Sequence, residues 1–267
     1  MAPPLAIHPK LVKRLMHWLS IDRVNATHSK FFDTPGAPFV RHLLEEWDMT
    51  LDIDGLDVLD NLPEGPFITV SNHPFGAIDG IMLIDIIASR RPDYKVMVNM
   101  MLGRLSAMRP NFITVDAMGS DDPKKQAVSR AGVREVIQRI KEGHPVGFFP
   151  AGAMSKVNWR GRLTDRTWQP TVIRLIDKLK VPVIPIFFHG SNTWFFNFLG
   201  VACWQLRTLR LPSEVFRKQH QTMHISVGQP ITVAQQQQHA GSLEELGLFL
   251  REKTYALRDN KNNKKRK

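Results

Sequence analysis

Six short apolar runs, at residues 66–71, 95–100, 111–116, 146–149, 181–188 and 224–227, alternate with stretches patterned as helix, and no other feature narrows the possible folds so far. Several runs hold consecutive apolar residues instead of a strict alternation, the pattern of strands covered on both faces. Helix-patterned segments lie between them at 81–89, 127–142 and 171–179. In the middle one Val133, Val136, Ile137 and Ile140 share a face, and Gly143 follows as a stop. This order predicts an α/β fold: one domain whose central, mostly parallel β-sheet is flanked by helices and whose loops carry function.

The chain has 267 residues, 43% hydrophobic and 23% charged, enough to bury a substantial core and to exclude disorder over most of its length. Lys and Arg outnumber Asp and Glu 36 to 25, a formal charge of +11 that favours anionic partners: nucleic acid, phosphorylated metabolites or a phospholipid surface. Lys261, Lys264, Lys265, Arg266 and Lys267 crowd the last residues, so 259–267 is expected to be a basic, disordered tail. No nucleic-acid recognition module accompanies the charge, so no nucleic-acid partner is expected. A single cysteine, Cys203, forbids an internal disulfide framework and fits a reducing compartment.

The opening MAPPLAIHPK interrupts its apolar residues before a signal-peptide core forms, which predicts a cytoplasmic chain. The longest stretch free of Asp, Glu, Lys and Arg, 181–206, is broken by Pro182, Pro185, Gly190 and Asn197. It falls short of the roughly 20 apolar residues of a spanning helix. Between residues 5 and 19, Leu11, Val12, Leu15, Met16 and Leu19 recur at helical spacing with Lys10, Lys13 and Arg14 interleaved. This amphipathic basic helix is open to two readings, a packing helix with a solvated face or a membrane-surface attachment. Residues 1–50 are accordingly read as an N-terminal helical segment and 51–258 as the domain that carries chemistry.

The most informative stretch, Thr69 to Gly80 (TVSNHPFGAIDG), leaves a buried strand, turns through Pro74 and Gly76, and enters an apolar helix. A histidine at the end of such a strand lies at the rim of the sheet. Asp79, six positions on, falls in the first helical turn, where a carboxylate suits the positive end of the helix and can return to the imidazole. Asp79 would then hold the Nδ1 proton of His73 and leave Nε2 to accept one from a hydroxyl or amine. A satisfied structural hydrogen bond is the competing account of the same pair. A second strand end, Val146 to Lys156 (VGFFPAGAMSK), adds a turn of small residues followed by Ser155, Lys156, Arg160 and Arg162, either an anion-binding loop or an ordinary solvated one.

Asn72-His73 with Asp79, then Phe149-Pro150-Ala151-Gly152, then 181–186 (VPVIPI) resemble, in order and spacing, motif blocks of the glycerolipid acyltransferase family. The likeness runs from about residue 51 to 231. The Gly-rich His73 loop and Tyr255-Ala256-Leu257-Arg258 are most similar to the bacterial hemolysin-like or aminolipid O-acyltransferase branch. The resemblance implies an α/β acyltransferase fold, His73 as general base with Asp79 orienting it, and an acyl-CoA or acyl-ACP thioester as co-substrate with no bound cofactor or metal. Substrate-binding positions implied with it are Asn72, Gly76, Phe149, Pro150, Gly152, Ser155 and Lys156. A looser match at 103–116 adds Arg104 and Arg109, each a forked partner for phosphate or carboxylate or a solvated surface residue.

Two features depart from the wider family pattern. Five residues instead of four separate His73 from Asp79, which Gly76 can absorb through a conformation other residues avoid. Ala151 and Ala153 stand where a glutamate orders the acceptor site of glycerol-phosphate acyltransferases, which points to a different head group or to weak activity.

The expected function is therefore transfer of a fatty acyl group to the hydroxyl of a lysophospholipid or lyso-aminolipid. The alternative is an inactive acyltransferase-like protein that binds lipid or a partner. Expected partners are the lysolipid acceptor, the acyl thioester donor, acyl carrier protein and an anionic membrane surface, at the inner face of the cell membrane. The turn at 72–76 is expected to offer oxyanion donors. An acyl tunnel or membrane-facing rim is expected from Trp194, Phe195, Phe196, Phe198, Leu199, Val201 and Trp204, edged by Arg207 and Arg210, with ordinary core packing as the other account.

Overall fold

The computed structural model describes residues 9–116, 121–158, 161 and 163–264, without the side chains of 9, 11, 12, 201, 202, 204 and 259–264. Arg160, Arg162 and residues 265–267 lie outside the described residues.

Three helices, α1 (Pro9–Trp18), α2 (Ile21–Phe31) and α3 (Ala37–Glu46), precede the first strand, β1 (Thr50–Asp54). Next come α4 (Leu56–Asp60), β2 (Ile68–Ser71), α5 (Ala77–Ala88) and β3 (Lys95–Asn99). Two 3-10 turns, Met100–Arg104 and Ser106–Asn111, lead to β4 (Phe112–Val115), α6 (Pro123–Lys141) and β5 (Val146–Phe148). A small antiparallel hairpin, β6 (Lys156–Val157) and β7 (Leu163–Thr164), precedes α7 (Pro170–Leu179) and β8 (Val183–Phe188). The chain ends with α8 (Trp194–Ala202), α9 (Trp204–Phe216), β9 (Thr222–Val227), α10 (Val233–Gln237) and α11 (Leu243–Lys264).

Among the described residues seven strands form one sheet in the order β1-β9-β8-β2-β5-β3-β4, parallel at every junction except β8 with β9. This is the expected α/β architecture. The predicted strands and helices are present, with ends shifted by a few residues. β1 carries no apolar run: Thr50, Asp52 and Asp54 alternate with Leu51 and Ile53, as suits an edge strand with one face in water. The last helix continues to Lys264, into the segment expected as a disordered tail.

Apolar cores cover both faces of the sheet. On one, α3 and α5 contribute Phe39, Leu43, Met82 and Ile86, which meet Ile184, Ile186 and Phe188 of β8. On the other, α6, α7 and α11 bring Val136, Ile140, Ile173, Ile176 and Leu250 against Ile68, Val70 and Val146. α3 thus shares its core with the sheet although it precedes residue 50. α5 is apolar nearly all round and buried along its length, the pattern of a helix at the centre of a domain. It fixes the site, because its first turn carries Asp79 and the loop before it carries His73.

Candidate active site

β2 is the middle strand of the sheet, hydrogen-bonded to β5 on one side and β8 on the other. All three run in one direction, so their carboxyl ends and following loops lie together, where open α/β sheets bind ligands. Asn72 locks two of these ends. Its Nδ2 donates to the Phe188 carbonyl at 2.9 Å and its Oδ1 accepts the Phe188 N–H at 2.7 Å, imitating a backbone pair one residue beyond the ladder.

His73 follows. Its Nδ1 lies 2.9 Å from Oδ2 of Asp79, the imidazole side chain 19% exposed and the carboxylate fully buried. At this distance the contact is an ion-pair approach: among the described residues neither His73 Nδ1 nor Asp79 Oδ1 has a well-formed hydrogen bond. Asp79 Oδ2 also accepts the N–H groups of Phe75 and Gly76, both at 2.9 Å. Gly76 makes this return possible, with φ at 86° and no room for a side chain beside Met154 and Leu211. Burial pushes the Asp79 carboxyl above its ordinary range, opposed by its contacts with His73, Phe75 and Gly76. Lys218 adds a cation to this environment, its Nζ 5.0 Å from the Phe75 ring centre. Burial holds its ammonium below the ordinary value against the pull of Glu214 and Asp79.

Phe149, at the end of β5, packs its ring on the imidazole with centres 4.3 Å apart. The turn that follows closes on Gly152, whose φ of 65° and contact with the Gln169 side chain exclude a Cβ, while the Pro150 carbonyl accepts the Gln169 N–H. Ser155 is buried and donates its N–H to the His73 carbonyl at 2.8 Å. Its hydroxyl donates to Asp165 Oδ1 at 2.6 Å, and the same oxygen accepts the His73 N–H at 3.2 Å. Trp168 Nε1 approaches the other oxygen of Asp165, and the Asp165 N–H donates to the Tyr255 hydroxyl at 2.9 Å. Asp165 therefore gathers both strand-end loops, a role with no signal in the sequence because it sits in a polar loop without periodicity.

Several expected positions change character. Phe75 and Gly76 direct their N–H groups to Asp79, His73 directs its own to Asp165, and Pro74 has none, so these four are not oxyanion donors. Holding the buried carboxylate and the histidine backbone takes up the amides that the turn was expected to present. Arg207 is a buried residue instead of an edge cation: it lies over the Phe196 ring and donates to the Ser155 carbonyl at 2.7 Å. Lys156 is exposed on β6. Arg104 and Arg109 lie exposed on the turns after β3, where Arg109 Nε donates to the Gly103 carbonyl.

Of the two readings of the aromatic segment, the described side chains of α8 fit an outward-facing rim better than an enclosed wall. Trp194, 76% exposed, and Phe195 and Phe198, each about half exposed, project from α8, and only Phe196 of the four is buried. The side chains of Val201 and Trp204 lie outside the described residues. A cavity of about 120 Å³ adjoins the His73 loop. A wider cleft of about 620 Å³ lies among α3, β1 and the end of α5, lined by Arg41, Glu45, Asp85 and Arg90. The first is too small for a fatty chain and the second is not lined by any residue of the His73 loop, so neither is the expected acyl tunnel.

A family model described as "Acyltransferase" matches residues 1–263. The lyso-glycine lipid O-acyltransferase of Bacteroides thetaiotaomicron is 30% identical over 236 residues, covering 84% of this chain and 81% of that one. The protein of the same name from Phocaeicola vulgatus is 28% identical over 232 residues, covering 83% and 78%. In structure the chain is similar to the 1-acyl-sn-glycerophosphate acyltransferase of Thermotoga maritima, with a TM-score of 0.52 and 15% identity over 94% of this chain and 88% of that one. The last likeness concerns the fold alone. The family match and the two sequence relatives cover most of the chain, His73, Asp79 and their loops lie within the matched residues, and the chain belongs to the glycerolipid acyltransferase family.

Proposed function

We propose that this protein moves a fatty acyl group from an acyl-CoA or acyl-ACP thioester to the hydroxyl of a lyso-aminolipid or lysophospholipid, with His73 as general base. The observation that carries the reading is the 2.9 Å approach of His73 Nδ1 to the buried Asp79 carboxylate at the carboxyl edge of the sheet. With Nδ1 held by Asp79, Nε2 is left to take the acceptor proton. The acceptor oxygen bonds to the thioester carbon, the C–S bond breaks, and the proton held on Nε2 passes to the departing thiolate. Base assistance of this kind contributes about 10²–10⁴ in rate. Approach of the two substrates in a fixed geometry supplies much of the remainder.

The acceptor class is drawn from the two relatives named for lyso-glycine lipid. In this reading residues 51–258 form the catalytic domain, and the protein attaches peripherally to the inner face of the cell membrane. No helix among the described residues is long and apolar enough to cross a membrane. Arg210 lies over both Trp18 of α1 and Phe195 of α8, at 4.6 and 5.6 Å, joining exposed aromatics and a cation in one patch suited to an anionic bilayer.

Incubation of purified protein with acyl-CoA or acyl-ACP and a panel of lysolipids, with products read by mass spectrometry, tests the reading. It expects one thioester and one lysolipid class to give an O-acylated product that His73→Ala does not form. Product formation undiminished in His73→Ala would overturn it.

A further inference from the structure

The cavity of about 120 Å³ beside the His73 loop is lined in part by Asn72, Pro74, Ser155, His189, Tyr255 and Arg258. Asn72 and Pro74 bracket His73 in the chain, and Ser155 is bonded to its carbonyl, so the cavity flanks the backbone of the base. It lies well below the ~300–1,000 Å³ of pockets that enclose whole drug-sized ligands, and it has room for a head group of a few non-hydrogen atoms.

Among the described residues that line it, Arg258 carries the permanent charge. Arg251, Tyr255 and Arg258 recur at i, i+4 and i+7 on α11 and so share one helical face. Arg251 lies over the Tyr255 ring at 4.8 Å. His189 Nε2 is fixed by Ser226 Oγ at 2.8 Å, and the Phe187 ring packs edge-on against both His189 and Tyr255. No carboxylate of the described residues lines the cavity. Asp165, close behind Ser155, has its oxygens engaged by Ser155, the His73 N–H and Trp168. Burial and the Asp165 charge push the Tyr255 phenol above its ordinary value, so the wall presents a neutral hydroxyl and not a second anion.

We infer that this cavity is the subsite for the acceptor's head group and that it takes a small carboxylate, with Arg258 as the charged partner. Arg258 offers a planar fork matched to a carboxylate. A glycine head group joined to its lipid through nitrogen keeps one carboxylate on a short stem, a group the cavity can hold while the lipid extends toward His73. The inference rests on the proposed acyl transfer for its meaning, but binding at the subsite is measurable without it.

The test titrates the full chain with N-octanoylglycine, N-octanoylglycinamide and glycerol 3-phosphate by calorimetry, in wild type, Arg258→Gln, His73→Ala and the exposed control Lys253→Gln. Wild type, His73→Ala and Lys253→Gln are expected to bind N-octanoylglycine alike, and Arg258→Gln to bind it about tenfold to a hundredfold more weakly, the loss of one charge-assisted hydrogen bond. The amide is expected to bind weakly to all four. In the transfer assay Arg258→Gln should raise KM for the lysolipid and leave KM for the thioester within twofold. Binding that does not depend on Arg258, equal binding of acid and amide, or tighter binding of glycerol 3-phosphate would each overturn the carboxylate subsite. If carboxylate binding depends on Arg258 but no lysolipid is acylated, the subsite stands and the proposed reaction falls.

Discussion

Oδ2 of Asp79 lies 2.9 Å from Nδ1 of His73 while the same oxygen accepts the N–H groups of Phe75 and Gly76. One buried carboxylate oxygen thus closes the loop and lies against the imidazole. Loop shape and ring orientation are not separable here, since both depend on a single charged atom with no access to water.

Replacement of this carboxylate tests what its charge contributes. Asp79→Asn keeps an oxygen for the backbone N–H groups and removes the charge, and kcat is expected to fall by about 10²–10⁴. Stability should move the other way. Burial raises the folded-state pKa of Asp79, so wild type binds more protons folded than unfolded and loses stability as pH rises from the ordinary carboxylate value to the raised one. Thermal melts should show Asp79→Asn above wild type at pH 7, with the gap closing toward pH 4. A variant that melts lower at both pH values would contradict this account.

Gly76 and Gly143 form a matched pair, with φ of 86° and 92°. A Cβ at Gly76 would come within 2.7 Å of Met154 Sδ and 2.9 Å of a Leu211 methyl carbon, whereas at Gly143 nothing lies within 4 Å. Gly143→Ala should cost about 1 kcal/mol in urea denaturation from backbone strain alone, and Gly76→Ala about 2–3 kcal/mol. Activity should fall only in the second, because its strain falls on the turn that carries Asp79.

Asp165→Ala leaves Ser155 Oγ, Trp168 Nε1 and the His73 N–H without their acceptor. Groups of this kind cost about 1–3 kcal/mol when left unpaired in the interior. The expected result is a loss of about 2–4 kcal/mol in chemical denaturation and reduced transfer. Asp165→Asn, which retains an acceptor oxygen, should recover part of both.

Acid sensitivity is expected from a cluster remote from the site. Burial works against ionisation of Asp93, but hydrogen bonds from Arg91 and His144 and the charge of Arg91 outweigh it and hold the carboxyl below its ordinary value. Its stabilising contribution is complete above the ordinary value of 3.8 and is lost as pH falls through the lowered one. Denaturation curves of wild type and Asp93→Asn should differ most near neutrality and converge below about pH 3.

Exposed aromatics provide a surface test. Trp194→Ser with Phe198→Ser removes two stacked rings, 5.4 Å between centres, from the outside of α8, so the melting temperature should stay within about 2 °C. Binding to vesicles rich in phosphatidylglycerol should drop at least about tenfold, since each large apolar side chain contributes about 1.5–3 kcal/mol when fully buried. Unchanged flotation would remove this patch from the membrane contact. Deletion of 261–267 should weaken flotation only at low salt.

Local chemistry fixed much of this protein. Runs of Val, Ile and Phe between turn formers have one economical solution, strands covered on both faces, and the Asn72 to Gly80 loop carries in seven consecutive residues the histidine, the aspartate and the glycine that lets them meet. The pairing of His73 with Asp79 was legible because both lie at one strand-helix junction and a single turn brings them together. Tertiary structure decided what distant segments bring to that junction. Asp165, Arg207 and Tyr255 reach it from 92, 134 and 182 residues away in sequence, through hydrogen bonds no periodicity encodes. The outward turn of Trp194, Phe195 and Phe198 was decided the same way, since an apolar run specifies a preference for leaving water and not the surface it will find.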